Sequence, residues 1–401
     1  MTCFERDSGQ IHIIIGNSEN RRVQLFQRAL YEHDGTRAAV IPWIDLLHND
    51  DSLECLLQPG MIVRIESPGE DFVVERELIA AGHNFSLQAG ISPEAARNLP
   101  YEKGRILYPN QWYQGFCSVL KKIEKTLSQY RCVAMNAPSD IATMFSKTET
   151  YSLFKDNGIP VPVSPGPVSC YEALREMMAD HGMKRVFVKL SCGSSASGVV
   201  AYEVSRYGEQ AHTSVELATR DGEPILFNSL RVRKYRNHDD IRTVINWLCR
   251  EGAHVEKWIP KSGIQGKSYD IRMLVVHGEA SHRVVRMGST PMTNLHLGNA
   301  RYDFNDLGLS EEVILEIERK AELAASLFSG SLYTGIDMAL PAGSLKPVLF
   351  EANAFGDLLP GLKWKGMDTY SLELNALRAE SMNGNGERPY MIPERSLARY
   401  R

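Results

Sequence analysis

The sequence predicts an α/β chain in two parts, a small open parallel sheet followed by a larger α+β unit. Three observations predict it. Short β-branched runs alternate with helical stripes through the first third, the pattern of a parallel sheet with helical crossovers. Near residue 133 the character changes, and a helix-forming stretch leads into a proline-rich connection. Beyond residue 186 the strand signals lengthen and glycines cluster between them.

The elements follow in order. Residues 11–15, Ile-His-Ile-Ile-Ile, form a β-branched run closed by Gly16, a buried-strand signal. Asn17 and Ser18 stand where a helix cap is needed, before an apolar stripe of Val23, Leu25, Phe26 and Leu30. Residues 38–43 and 61–65 read as further strands. The second ends in the turn Ser67-Pro68-Gly69, and a helical pattern resumes over 70–81. Residues 84–110 are loop-rich, and 111–130 read as a helix. Helix-forming residues from 135 run to Asn157-Gly158, where glycine and then proline stop them. Strands are predicted over 186–190, 199–204, 254–258, 273–276, 281–287, 335–340 and 347–351, with a helix over 311–328. The expected organisation is an N-terminal domain of residues 1–133 and a second unit of 134–378. That unit has lobes of about 134–260 and 261–378, and a polar tail, 379–401, follows.

Composition narrows the function. Of 401 residues 43% are hydrophobic and 23% charged, ordinary globular values. Lysine plus arginine number 45 against 49 acids, so a net charge of −4 gives no global field for nucleic acid. No apolar run reaches the ~18 residues of a membrane span, and the start, MTCFERDSGQ, lacks a signal-peptide pattern. A cytoplasmic protein is expected. Seven scattered cysteines without a Cys-x-x-Cys pair argue against a disulfide framework or zinc site. The turn at Gly16 lacks the Gly-x-Gly-x-x-Gly spacing of a dinucleotide site.

Three segments carry chemistry. In VFVKLSCGSSASGVVAYE (186–203) a strand delivers Lys189 into a small-residue loop, Cys192 to Gly198. Such a loop brings backbone N–H groups close to an anion, and the lysine adds positive charge. In HVEKWIPKSGIQGKSYDIRMLVVHGEASHRVVRM (254–287) Asp270 and Arg272 alternate with apolar neighbours and so share one strand face. Arg283 and Arg286 follow, and Arg272 and Arg286 suit bidentate phosphate contacts. In YTGIDMALPAGSLKPVLFEANAFGDLLPGL (333–362) Asp337 ends one strand signal, and Glu351 and Asn353 close the next. Hard oxygen ligands of that type suit Mg²⁺ bridging phosphates.

In order and content these segments resemble the ATP-grasp superfamily, in particular its branch of glutathione synthetases, glutamate ligases and amino-acid or peptide ligases. The resemblance covers about residues 135–378; over 1–134 only the layout resembles a pre-ATP-grasp domain. It implies an ATP-grasp fold with a small parallel α/β domain in front. It further implies nucleotide contacts from Lys147, Lys189, Gly193, Ser194, Ser195, Ser197 and Gly198. Glu256, with the backbone of Lys257, Trp258 and Ile259, would form an adenine hinge, and Asp270 would lie near the ribose. Arg272 and Arg286 would face phosphate or acyl-phosphate oxygens, Asn294 would join them in catalysis, and Asp337, Glu351 and Asn353 would hold metal. Many ligases of this branch carry an arginine two residues before that asparagine. This chain has Met292, with Arg286 or Arg301 as the cations to stand in.

The resemblance implies ATP and Mg²⁺, with Mn²⁺ as the alternative ion, and an acyl-phosphate that an amine or thiol attacks, releasing ADP and phosphate. Small-molecule or peptide carboxylates and amines are the expected substrates; nucleic acid and membrane are not expected partners, and homo-oligomers are compatible with the sequence. An ATP-grasp kinase acting on a hydroxyl and an inert nucleotide-binding module are the alternatives, and Met292 speaks for the latter.

Overall fold

A computed structural model describes residues 12–49, 51–85, 90–193, 197–355 and 359–382. The first sheet is built from β1 (His12–Ile15), α1 (Arg21–Asp34), β2 (Ala39–Ile41), α2 (Trp43–His48), β3 (Ile62–Ile65), α3 (Phe72–Ala81), α4 (Pro93–Arg97), α5 (Pro109–Gln129) and β4 (Val133–Ala134). Its order is β2-β1-β3-β4, parallel throughout. Ile13 and Ile15 pack with Phe116, while Ile14 packs with Phe26 and Leu30. Both faces are covered, which is why the strand is apolar without alternation. The cap of α1 is Asn20, which accepts from Arg22 N–H at 2.8 Å, rather than Asn17 or Ser18. Asn17 instead donates to the Pro68 and Gly69 carbonyls and ties the two strand-end loops together.

The next stretch holds α6 (Pro138–Phe145), α7 (Lys147–Asp156), α8 (Tyr171–Asp180), β5 (Arg185–Leu190), β6 (Val199–Ser205), β7 (Gly208–Arg220), β8 (Glu223–Tyr235), α9 (His238–Arg250) and β9 (Ala253–Lys257). The strands form an antiparallel sheet, β8-β7-β6-β5-β9. Val186, Val188, Leu190, Val200 and Val255 pack with α8 and α9 on one face. The two-residue period then sends Phe187, Lys189, Val199, Ala201, His254 and Glu256 to the other.

A third sheet comes from β10 (Gly263–Ile264), β11 (Lys267–Val276), β12 (Glu279–Gly288), β13 (Ala300–Tyr302), α10 (Glu311–Ala325), β14 (Tyr333–Ala339), β15 (Val348–Asn353) and the closing α11 (Thr369–Met382). Its order is β13-β12-β11-β14-β15, with β10 beside β11. Ile271, Met273, Val285, Ile336 and Met338 share a core with Ile317, Ala321 and Ala324 of α10. The opposite face is divided. Leu274, Val276, Val284 and Tyr333 pack with Ile14, Phe26 and the buried Leu374 and Leu377 of α11. Asp270, Arg272, Arg286 and Asp337 occupy the rest of it. Helix α11 continues through 379–382, where composition alone reads as tail. Helices α6 and α7 lie against β15. Among the described residues no helix is long and apolar enough to cross a membrane.

Candidate active site

Strand register assembles a checkerboard of charge on the third sheet. Asp270 of β11 lies opposite Arg286 of β12, and Arg272 lies opposite Asp337 of β14. Asp337 in turn faces Glu351 of β15. Arg286 Nε donates to Asp270 at 2.7 Å, and its Nη2 reaches Asp337 at 3.1 Å. Arg272 grips both Asp337 oxygens, its Nη2 at 2.8 Å. Gly335 lies beside the side chain, where a Cβ would make only ordinary van der Waals contact with Arg272 Cδ at 3.6 Å. A one-residue bulge in β15, with Asp337 paired to Glu351 but Met338 to Leu349, re-aims the intervening Phe350.

Burial pushes the Asp270 carboxyl up, but Arg286 and Lys261 outweigh it and hold the group well below the ordinary range. Asp337 moves up, because burial and the adjoining Glu351 carboxylate prevail over Arg272 and Arg286. Glu351 goes the other way, to about 2, since Lys147 and the Asp337 hydrogen bond overcome its burial. Of the two touching carboxyls, Asp337 therefore takes a proton first.

Lys147 opens α7 immediately after its cap Ser146. Its Nζ donates to the Gly193 carbonyl at 2.6 Å and lies 3.5 Å from Glu351. The loop closes where Leu190 N–H meets the Gly198 carbonyl at 3.1 Å. Gly198 has φ +62°, and a Cβ there would collide with Leu190, so the return demands glycine. Ser197 is described; Ser194 and Ser195 lie outside the described residues. Burial pushes the Cys192 thiol up to about 12, so it is no nucleophile at neutral pH.

On the second sheet Lys189 pairs with the buried Glu256. His254 lies 3.8 Å from Glu256, and burial pushes it down to about 4 against the pull of that carboxylate, so it is neutral. Trp258 packs against Phe187 with ring centroids 5.4 Å apart. Lys189 and Lys261 each place Nζ 5.6 Å from the Phe350 centroid. Lys261 donates to Asp270 at 3.1 Å and to Thr293 at 2.8 Å. Contacts therefore run in a closed circuit from Lys189 through Phe350, Lys261, Asp270, Arg286, Asp337, Glu351 and Lys147 to the glycine loop that leaves Lys189.

Lys261, Thr293, Phe350 and His254 in this circuit or beside it were not expected from sequence. Four residues singled out from sequence have the following settings. Asn294 spends its side-chain oxygen on the His296 N–H at 2.9 Å, capping a short turn. Asn353 donates to the Gly335 carbonyl at 3.3 Å. Met292 is buried with Phe187, Val199 and Ala201, an apolar setting. Arg301 is exposed and bonds the Pro360 carbonyl. Among the described residues no group of three His, Cys, Asp or Glu is spaced to hold a metal; the expected set has two carboxylates and an amide.

No family model and no curated protein sequence matches the chain. Solved structures do. An ATP-grasp ligase, PsnB, complexed with a phosphomimetic variant of minimal precursor, Mg and ADP, superposes with a TM-score of 0.53 at 15% identity, covering 92% of this chain and 98% of that one. D-cycloserine synthetase DcsG gives 0.52 at 13% identity, covering 92% and 98%. D-alanine–D-alanine ligase from Bacillus anthracis, complexed with ATP, gives 0.50 at 12% identity, covering 94% and 100%. The chain has the ATP-grasp fold.

Proposed function

We propose that the chain is an ATP-dependent ligase that activates a carboxylate as its acyl-phosphate and joins it to an amine, releasing ADP and phosphate. The closed circuit of charge carries this reading, because it surrounds one cleft with cations fixed by carboxylates, a shape made for a polyphosphate. The D-alanine ligase and the PsnB precursor complexes among the neighbours support amino-acid or peptide substrates.

The adenine edge suits the end of β9. Lys257 N–H donates outward to the Val163 carbonyl at 2.8 Å, so the Lys257 C=O points outward too, and the Ile259 N–H follows two residues on. An acceptor and a donor so spaced match a purine's amino group and ring nitrogen. Phe187, Val199, Ala201 and Met292 supply the apolar wall, and Lys147 and Lys189 reach the phosphates. Arg286 uses Nε and Nη2 on carboxylates and leaves Nη1 without a partner among the described residues. That group is poised to neutralise charge on a moving phosphoryl group. Asp337, Glu351 and Asn353 would hold Mg²⁺, or Mn²⁺ in its place; their donors are all oxygen, since the Asn353 amide nitrogen is turned to Gly335. The ion supplies charge screening of the phosphates.

Hydroxylamine trapping tests the reading. With Mg-ATP and a panel of amino acids and short peptides, the protein is expected to form a hydroxamate in step with ADP and phosphate. Arg286→Ala should lower that yield about 10²–10³-fold, the cost of losing one preorganised donor, while ATP binding changes far less. ADP with a phosphorylated alcohol would establish the kinase alternative, and AMP with pyrophosphate would sink the acyl-phosphate route.

A further inference from the structure

We infer that Lys261 is a phosphate-contacting residue of this cleft, delivering a cation that the loop of residues 289–299 lacks. The inference rests on the nucleotide reading above. Residues 289–299 contain no lysine or arginine, and Met292 faces an apolar cluster. The positive charge beside them comes from the strap joining the second and third sheets. That strap is firmly held. Ala342 N–H donates to the Pro260 carbonyl at 2.9 Å, and Ser262 N–H to the Leu340 carbonyl at 2.7 Å.

From this base Lys261 reaches Asp270 and Thr293, the latter adjoining Met292. An ammonium has three donors, and among the described residues only two find acceptors. The side chain is only 11% exposed, so the third donor is largely withdrawn from bulk water. It lies beside Phe350, the ring that Lys189 approaches from the other sheet.

Charge counting gives the same answer. Lys147, Lys189, Arg272 and Arg286 are matched one for one by Glu256, Asp270, Asp337 and Glu351. Lys261 is the cation in excess. A nearly buried surplus charge is costly unless an anion completes it, and a phosphate oxygen on the third donor does so. Asp270, already bonded to Arg286, cannot balance both.

The test compares a ligand with phosphates and one without. Dissociation constants for Mg-ATP and for adenosine are measured by calorimetry on wild type, Lys261→Met and Lys261→Arg. Loss of one charged hydrogen bond predicts Mg-ATP binding weakened about tenfold to a hundredfold in Lys261→Met. Adenosine binding should be unchanged, and Lys261→Arg should retain most of the affinity for Mg-ATP. Equal losses for both ligands would mean that Lys261 touches ribose or merely positions its neighbours, and would overturn the assignment. No loss for either ligand would overturn it as well. Wild-type protein that binds neither ligand would overturn the nucleotide reading and this inference together. Should Lys261→Met fail to fold, Lys261→Gln carries the same comparison, because Asp270 keeps Arg286 in both.

Discussion

Among the described residues, two clusters of buried charge are built on opposite plans. One joins Arg64 of β3 to Glu66 just beyond it and to Glu373 of α11, all essentially without exposure. The Arg64 guanidinium sits 4.4 Å from the Phe26 ring, 4.9 Å from Tyr333 and 5.1 Å from Tyr370. It is sealed by aromatics and pins the first sheet, β14 and α11 together. The other is the circuit of the candidate site, whose Arg286 leaves Nη1 without a partner among the described residues. The sealed cluster has one cation for two carboxylates, and burial pushes Glu373 up to about 7 against the pull of Arg64, which favours a proton there and lowers the excess negative charge. The candidate site counts one cation, Lys261, beyond its carboxylates, and under the proposed function a phosphate would complete it. The sealed cluster also leaves Arg64 Nη2 and Glu66 Oε2 without hydrogen-bond partners among the described residues, so what separates the two is the enclosing aromatic rings, not complete pairing.

The largest effect should come from breaking each cluster at its arginine. Arg64→Met leaves two carboxylates buried without a cation, which costs about 3–5 kcal/mol. The denaturation midpoint should fall accordingly at constant slope. Arg286→Met removes a cation from carboxylates that each keep another, Lys261 for Asp270 and Arg272 for Asp337. Its stability cost should stay near the ~1 kcal/mol of an ordinary hydrogen bond. Equal destabilisation by the two variants would show that the cleft arginine is as structural as the sealed one.

A smaller effect sharpens the sealed half. An unfolded glutamate titrates near 4.3, whereas folded Glu373 holds its proton up to about 7. Between those values the native state binds a proton that the unfolded state has released. This group's contribution is therefore full below about pH 4.3 and lost as pH rises to 7, a decline of about 3 kcal/mol. Glu75, also pushed up to about 7 by burial, adds a decline of the same sign. The stability difference between wild type and Glu373→Gln isolates the Glu373 share. It should fall across that window in urea titrations at several pH values, and a pH-independent difference would contradict the shared-proton account.

The two halves were unequally legible in sequence. Asp270 with Arg272, and Glu351 with Asn353, stand two apart on strands, so local periodicity puts each pair on one face. Their true partners, Arg286 and Asp337, depend on register between strands, which no local pattern carries. Phe350 was hidden by the bulge that turns it toward the cleft. The hairpin of β7 and β8 escaped notice because its strands are mostly polar, although Asp221-Gly222 at its tip, both with positive φ, is a hairpin signal. Nothing near Arg64 hinted that it would meet Glu373, 309 positions away. Met292 was noticed as a missing cation, but only packing shows the apolar wall that it completes.

The smallest predicted effect concerns Asn294, which sequence placed with the catalytic arginines and the fold uses as a cap. Its carbonyl oxygen accepts from His296 N–H, and its own backbone carbonyl accepts from Asn299, which also holds the Met292 carbonyl at 2.8 Å. These bonds shape the loop that presents Thr293 to Asp270 and Lys261. If the side chain acts only through this cap, Asn294→Ser should keep the hydroxamate yield, because serine caps as well as asparagine. Asn294→Ala should cost about 1 kcal/mol of stability and lower the yield only mildly, through a looser loop. A catalytic Asn294 would reverse the order: serine and alanine would abolish turnover alike while the melting temperature barely moved. Measuring both variants for yield and melting thus assigns the residue to one side of the division between charge that builds the fold and groups that meet the substrate.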